Sequence, residues 1–147
     1  MQQTLVLCKP DAVQRGLIGR IIARFEEKGL KIVGLRMLRV DEELARTHYK
    51  EHAAKDFFPE LAAFITSSPI VALAIEGKNA VEVVRKIMGV TNPQNATPGT
   101  IRGDFGLNLT MNLVHGSDSL ASAEREIELF FSPEEINDYS LALDSWL

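Results

Sequence analysis

His115, Glu126, Lys9, Arg85 and Arg102 are the residues whose types and spacing could do chemistry. His115 closes an apolar run, is followed by Gly116, and stands just before Ser119, a residue suited to cap a helix whose free amides and dipole favour an anion. Glu126 lies on that helix beside the inward stripe, so its carboxylate needs a partner, and a neighbouring histidine is a suitable one. Such a pair fixes the imidazole tautomer and raises the nucleophilicity of the other ring nitrogen. Lys9 ends a strand-length apolar run, Arg85 borders an apolar helix stripe, and Arg102 lies in a Gly/Pro-rich segment where backbone amides can approach an anion. Each has a plainer reading: a lysine reaching solvent, solvated arginines, a surface histidine near an exposed glutamate. Taken together they describe phosphoryl transfer better than proton abstraction or acyl transfer. That reaction asks for in-line positioning and positive charge at the equatorial and bridging oxygens.

Other patterns carry less. His48-Tyr-Lys-Glu-His52 matches His-x-x-Glu-His, which sets two histidines one helical turn apart as in zinc peptidases, but a peptidase needs a third ligand and a cleft. The plainer reading is a polar helix face. Asp104-Phe105-Gly106 spells the protein-kinase magnesium triplet without the catalytic or glycine-rich loops. Gly77-Lys78 lacks the remaining residues of a P-loop. Cys8 in an apolar strand reads as a small buried hydrophobe.

The elements that must position these groups follow from periodicity. Thr4–Cys8 is a strand stopped by the turn signal Lys9-Pro10-Asp11, and Leu17, Ile18, Ile21, Ile22 and Phe25 form a helix stripe ended by Gly29. Lys31–Val40 alternates as a strand with Val33, Leu35 and Met37 on one face. Asp41 caps a short helix running to His52. Phe57-Phe58-Pro59 opens a helix with the stripe Leu61, Phe64 and Ile65, and Ile70–Ile75 is a strand buried on both faces. Asn79–Met88 is a helix, and Gly89–Gly106 a connection long enough to be functional. Leu107–Val114 reads as a strand, and Ser119 caps a helix with Leu120, Ala123, Ile127 and Phe130 inward. Ser132-Pro-Glu-Glu135 is a capping box. The order predicts an α+β, ferredoxin-like split βαβ sandwich, a four-stranded antiparallel sheet with helices on one face.

A chain of 147 residues with 46% hydrophobic and 24% charged composition predicts one domain over 1–147 and excludes a bilobal kinase, a TIM barrel or a two-domain dehydrogenase. No apolar run is long enough to span a membrane. A net charge of -4 makes nucleic acid a poor partner, so any anion site must be a local cluster of cations. One cysteine and no signal-peptide pattern point to the cytosol.

Asn112-Leu-Val-His-Gly-Ser-Asp-Ser119 resembles the active-site signature of the nucleoside diphosphate kinases. Lys9-Pro-Asp-Ala-Val-Gln-Arg-Gly16, Phe57-Phe58-Pro59, Thr91-Asn-Pro93 and Pro98-Gly-Thr-Ile-Arg-Gly-Asp-Phe105 resemble that family's other blocks, in order and across essentially the whole chain. The resemblance implies a ping-pong enzyme that moves the γ-phosphate of one nucleoside triphosphate, usually ATP, to another nucleoside diphosphate. His115 would be phosphorylated on Nδ1, Glu126 would hold the other ring nitrogen, and Ser117 would support both. It implies phosphate or sugar contacts from Lys9, Tyr49, Arg102 and Asn112, with Arg85 and Thr91 at the distal phosphates. Phe57 would stack on the base, and Leu61 and Leu109 would line the entrance. It implies Mg2+ carried on the nucleotide phosphates, with no ligand from the protein, and a homo-oligomer, a hexamer or a tetramer. Asn112 and His115 differ in strand parity, so both can serve one site only if a bulge or bend separates them. The rival reading is a non-catalytic nucleotide- or RNA-binding module on the same fold, but the aromatic signature of an RNA-binding sheet is missing.

Overall fold

The two runs without polar alternation become the inner strands of one antiparallel sheet. In the computed structural model, which describes residues 1–147, the strands are β1 (Gln2–Cys8), β2 (Lys31–Leu38), β3 (Ile70–Gly77) and β4 (Val114–Gly116), in the order β2-β3-β1-β4. Around them lie helices α1 (Pro10–Gln14), α2 (Ile18–Glu27), α3 (Glu42–His48), α4 (Phe58–Ile65), α5 (Ala80–Met88), α6 (Ile101–Phe105) and α7 (Leu120–Phe130). The split βαβ architecture read from the sequence is present, but the helices cover both faces. Val6, Cys8, Val71, Leu73 and Ile75 point to a core completed by Ile21 and Phe25 of α2 and Val84 and Met88 of α5. Leu5, Leu7, Ala72 and Ala74 point the other way, to Ala45, Ile65 and Phe130 of α3, α4 and α7. Strands apolar on both sides require cover on both sides.

Local chemistry overrides the period elsewhere. Ile32 pairs with Ile75 and Gly34 with Ala74, so Val33 is an extra, bulged residue in β2. The bulge separates Val33, which is buried, from Leu35 and Met37, which stand 60% and 58% exposed. Lys9-Pro10-Asp11 is more than a turn, because Pro10 takes the first position of α1, where a missing N–H is tolerated. Gly89–Gly106 is not an open connection either. It contains a 3-10 turn at Pro93–Asn95 and α6, whose cap Thr100 accepts the Gly103 N–H at 3.0 Å. Any side chain at Gly103 would collide with the Thr97 carbonyl. Only the end of the run Leu107–Val114 is strand. Asn108 Oδ1 accepts the N–H groups of Thr110 and Met111 at 2.8 and 2.9 Å, an Asx turn that leaves Leu107, Leu109 and Met111 exposed. Ser119 caps α7 as expected, accepting from Ser122 N at 3.1 Å, yet Leu120 faces solvent while Ala123, Glu126 and Phe130 are buried. No helix is long and apolar enough to cross a membrane.

Candidate active site

The strand that carries His115 is short because the chain bends sharply just before it. Leu113 is held at φ +75°, and Val114 N–H donates to Asn112 O at 2.9 Å, closing a three-residue γ-turn of the strained, positive-φ kind. Such a backbone costs about 1–3 kcal/mol and persists only when its surroundings determine it. Here they do. Leu113 is fully buried, its N–H donates to Asp11 Oδ2 at 3.0 Å, and its carbonyl accepts from Lys9 N at 2.8 Å. The turn supplies the bend demanded by the parity of Asn112 and His115, and lets both reach one cavity.

That cavity, of about 350 Å³, is lined by Lys9, Tyr49, Arg85, Thr91, Arg102, Asn112, His115 and Glu126 among others. Lys9 comes from the end of β1, Tyr49 from the end of α3, Arg85 from α5, Arg102 from α6 and Glu126 from α7. Eight residues singled out in the sequence thus converge from the whole length of the chain. Ser117 stands behind them, fully buried. It accepts the Leu5 N–H at 3.3 Å and donates to Glu126 Oε1 at 2.8 Å. Phe57, Leu61 and Leu109 do not line the cavity. Phe57 is half exposed, its ring 5.4 Å from that of His52, which does line it; Leu109 faces solvent on the Asx turn.

His115 pairs with Leu7 of β1, and its Nε2 lies 2.8 Å from Glu126 Oε1. Nδ1 has no partner within the protein. Burial alone would raise the Glu126 carboxyl, but the hydrogen bonds from His115 and Ser117 and the nearby imidazole charge outweigh it and hold the group below its ordinary value. An ionised acceptor at Nε2 makes the tautomer with a lone pair on Nδ1 the stable one.

The cations are held differently. Lys9 Nζ donates to Asn112 Oδ1 at 2.8 Å, and Asn112 Nδ2 donates to Thr91 O at 3.0 Å. Arg102 gives Nε to Asn112 O at 3.2 Å, Nη1 to Gly89 O at 3.0 Å and Nη2 to Val114 O at 2.7 Å. No carboxylate pairs with its guanidinium, so its charge is left for the cavity. Burial, then the charge of Arg85, lower it to about 10. Arg85 donates to Gly116 O at 3.1 Å.

Burial, reinforced by Arg102, lowers Lys9 from 10.5 to about 8. A lysine depressed in the fold is disfavoured there in its charged form. The penalty is complete below pH 8 and fades as pH rises toward 10.5, so the free chain gains stability across that window.

His48, Arg125 and Glu51 also line the cavity, and no chemical motif in the sequence marks them for it. His48 could have been found: Leu44, Ala45 and His48 fall at helical spacing, which turns that histidine inward. His52, its companion in the zinc-like motif, lines the same cavity with its ring 5.4 Å from that of Phe57.

A sequence model described as nucleoside diphosphate kinase matches residues 2–136. The nucleoside diphosphate kinase of Pelotomaculum thermopropionicum is 58% identical over 147 residues, 100% of this chain and 99% of that one. That of Archaeoglobus fulgidus is 56% identical, covering 100% and 97%. The solved structure of a halophilic nucleoside diphosphate kinase from Halobacterium salinarum in complex with CDP superposes with a TM-score of 0.96 at 52% identity, covering 99% of this chain and 97% of that one.

Proposed function

The chain belongs to the nucleoside diphosphate kinase family, and we propose that residues 1–147 act as one catalytic domain that carries the γ-phosphoryl group of a nucleoside triphosphate, typically ATP, to a nucleoside diphosphate on His115. The observation that carries this reading is the 2.8 Å contact between His115 Nε2 and the ionised Glu126, which leaves Nδ1 free in a cation-lined cavity. The Nδ1 lone pair attacks the γ-phosphorus in line, and the bond to the bridging oxygen breaks. That electron pair leaves with the diphosphate, and a second diphosphate reverses the step. Lys9, Arg85 and Arg102 meet the negative charge on the phosphate oxygens. Tyr49, whose phenol burial and then Glu126 push up to about 12, remains a neutral donor beside them. Magnesium would enter with the nucleotide as part of the substrate and offset phosphate charge, without a ligand from the protein. Phe57, at the rim next to His52, offers a ring for base stacking that does not discriminate between bases. Leu61 and Leu109 would meet the base at the entrance.

The test is kinetic and chemical. Initial rates against both substrates should give parallel reciprocal plots, and γ-labelled ATP alone should leave acid-labile label that any nucleoside diphosphate removes. Intersecting plots without a labelled intermediate would reject a ping-pong enzyme.

Glu126→Gln keeps an oxygen for the His115 and Ser117 hydrogen bonds but removes the charge that balances a phosphorylated imidazolium. We expect kcat to fall about 10–100-fold with KM little changed. Stopped-flow phosphorylation of the enzyme would measure it. Lys9 gives a pH dependence of defined sign: nucleotide binding favours its charged form, so KM should rise above pH 8, approaching tenfold per pH unit. Calorimetry near pH 8.5 in buffers of different ionisation enthalpy should detect proton uptake on binding.

We further propose a homo-oligomer, a hexamer or a tetramer, in the cytosol. β2 is an edge strand carrying exposed Leu35 and Met37, an apolar surface suited to a second copy. Light scattering should give a multiple of the chain mass, reduced by Met37→Lys. The one cysteine, Cys8, is buried and free, as suits a reducing compartment.

A further inference from the structure

We propose that His48, His115 and Glu126 form a latent site for a zinc-type divalent ion, and that an ion bound there stalls the enzyme before phosphorylation. One ligand atom from each of the three residues lies within 4.8 Å of the others. The imidazole of His48 stands edge-on to that of His115, with centroids 4.8 Å apart and planes at 84°. His48 is only 6% exposed, and neither of its ring nitrogens has a hydrogen-bond partner. A buried imidazole without a partner is uncommon, because each orphaned polar atom is destabilising. The group it can serve is one that enters the cavity, which all three residues line.

The donor set selects the ion. Two imidazoles and one carboxylate suit zinc, cobalt, nickel or copper and are poor ligands for magnesium, so the ion carried by the nucleotide does not compete. A tetrahedral zinc with bonds of about 2.0–2.1 Å sets its ligands about 3.3 Å apart, so with the present spread of up to 4.8 Å binding asks one side chain to move by about 1.5 Å. The ion replaces the proton held between His115 Nε2 and Glu126 Oε1, and that proton leaves to solvent. Its fourth position opens on the cavity. With Nε2 on a metal, His115 is a weak nucleophile at Nδ1 and Glu126 no longer balances the charge of a phosphoimidazolium. The zinc-like motif in the sequence therefore contributes one histidine of its two, and the other ligands come from β4 and α7.

Stalling rests on His115 being the nucleophile; binding does not, so the two are measured apart. Nucleotide-free protein is titrated with zinc in competition with a chromophoric chelator. The chain has three histidines, and only two belong to the site. We expect one ion per chain, with affinity lowered at least tenfold in His48→Phe, which keeps the edge-on ring packing, and unchanged within twofold in His52→Ala. Equal affinity in wild type and His48→Phe, or a loss that follows His52, overturns the site. Cobalt(II) binding to the wild-type chain is a second readout that needs no variant: four-coordinate visible absorption supports the site, and a six-coordinate aquo-like spectrum rejects it. In labelling with γ-labelled ATP and excess magnesium, zinc should block phosphoenzyme formation and a chelator restore it. Inhibition that tracks only the zinc–nucleotide complex, or zinc binding without loss of labelling, rejects the stall while leaving the site intact, and labelling of His115→Ala tests the nucleophile separately.

Discussion

His115→Ala should lose about 10^4–10^6-fold in kcat/KM and form no acid-labile phosphoenzyme. At about 1.4 kcal/mol per factor of ten, that is about 5–8 kcal/mol of transition-state stabilisation. The size follows from the division of labour in the cavity. Lys9, Arg85 and Arg102 would still bind a triphosphate and meet its charge, so KM should change little. No other imidazole in the chain is hydrogen-bonded to a carboxylate. His48 stands beside His115, but it is buried, and burial followed by the imidazole of His115 holds it down to about 3. It belongs to the wall, and Glu126, the carboxylate whose charge reaches it, makes no hydrogen bond to either of its ring nitrogens. The experiment compares single-turnover labelling of wild type and His115→Ala, with circular dichroism to show that the variant folds. A variant that still exchanges phosphate at more than a hundredth of the wild-type rate would mean direct transfer between two bound nucleotides.

The sequence made this histidine visible because three local signals coincide there: an apolar run, a glycine after it and a helix cap before a buried carboxylate. Glu126 was legible for the same reason, since a charged residue bordering an inward stripe must find a partner. The cations were legible as candidates only. Nothing in the spacing of Lys9, Arg85 and Arg102 says that β1, α5 and α6 end at one cavity, because that depends on strand order. The strand is shorter than the alternation over Leu107–Val114 implies, because an Asx turn at Asn108, decided by one side chain, competes with it. The grouping of Val33 with Leu35 and Met37 failed on one extra residue, because a bulge reverses the parity of everything after it. His48 was read inside a metal motif of local spacing, whereas its neighbours in space are His115 and Phe130, at 4.8 and 5.3 Å.

Arg102→Lys should separate the charge of this residue from its geometry. A lysine keeps the positive charge, and if Arg102 serves only to bind phosphate the variant should retain most activity. The structure gives the guanidinium a second task. Three of its five N–H donors are spent on the carbonyls of Gly89, Asn112 and Val114, and two of those carbonyls flank the strained turn at Leu113. A single ammonium cannot reach three carbonyls arranged around a planar fork. At least two buried acceptors then lose a charged donor at about 1–3 kcal/mol each, so the variant should be destabilised by about 2–6 kcal/mol. A urea midpoint lowered with an unchanged slope would register that loss. The same loosening frees Asn112, which positions Lys9, and the backbone leading to His115, so kcat should fall about 10–100-fold even where the variant is fully folded. An Arg102→Lys chain within about 0.5 kcal/mol of wild type would show that the turn is held by Asp11 and by packing of Leu113 alone. Loss of stability with unchanged kcat would show that the turn does not transmit to the nucleophile. The clamp accounts for an arginine buried without a carboxylate partner: its donors fix the bend that brings Asn112 and His115 into one cavity, and on the proposed function its uncompensated charge would meet the phosphates there.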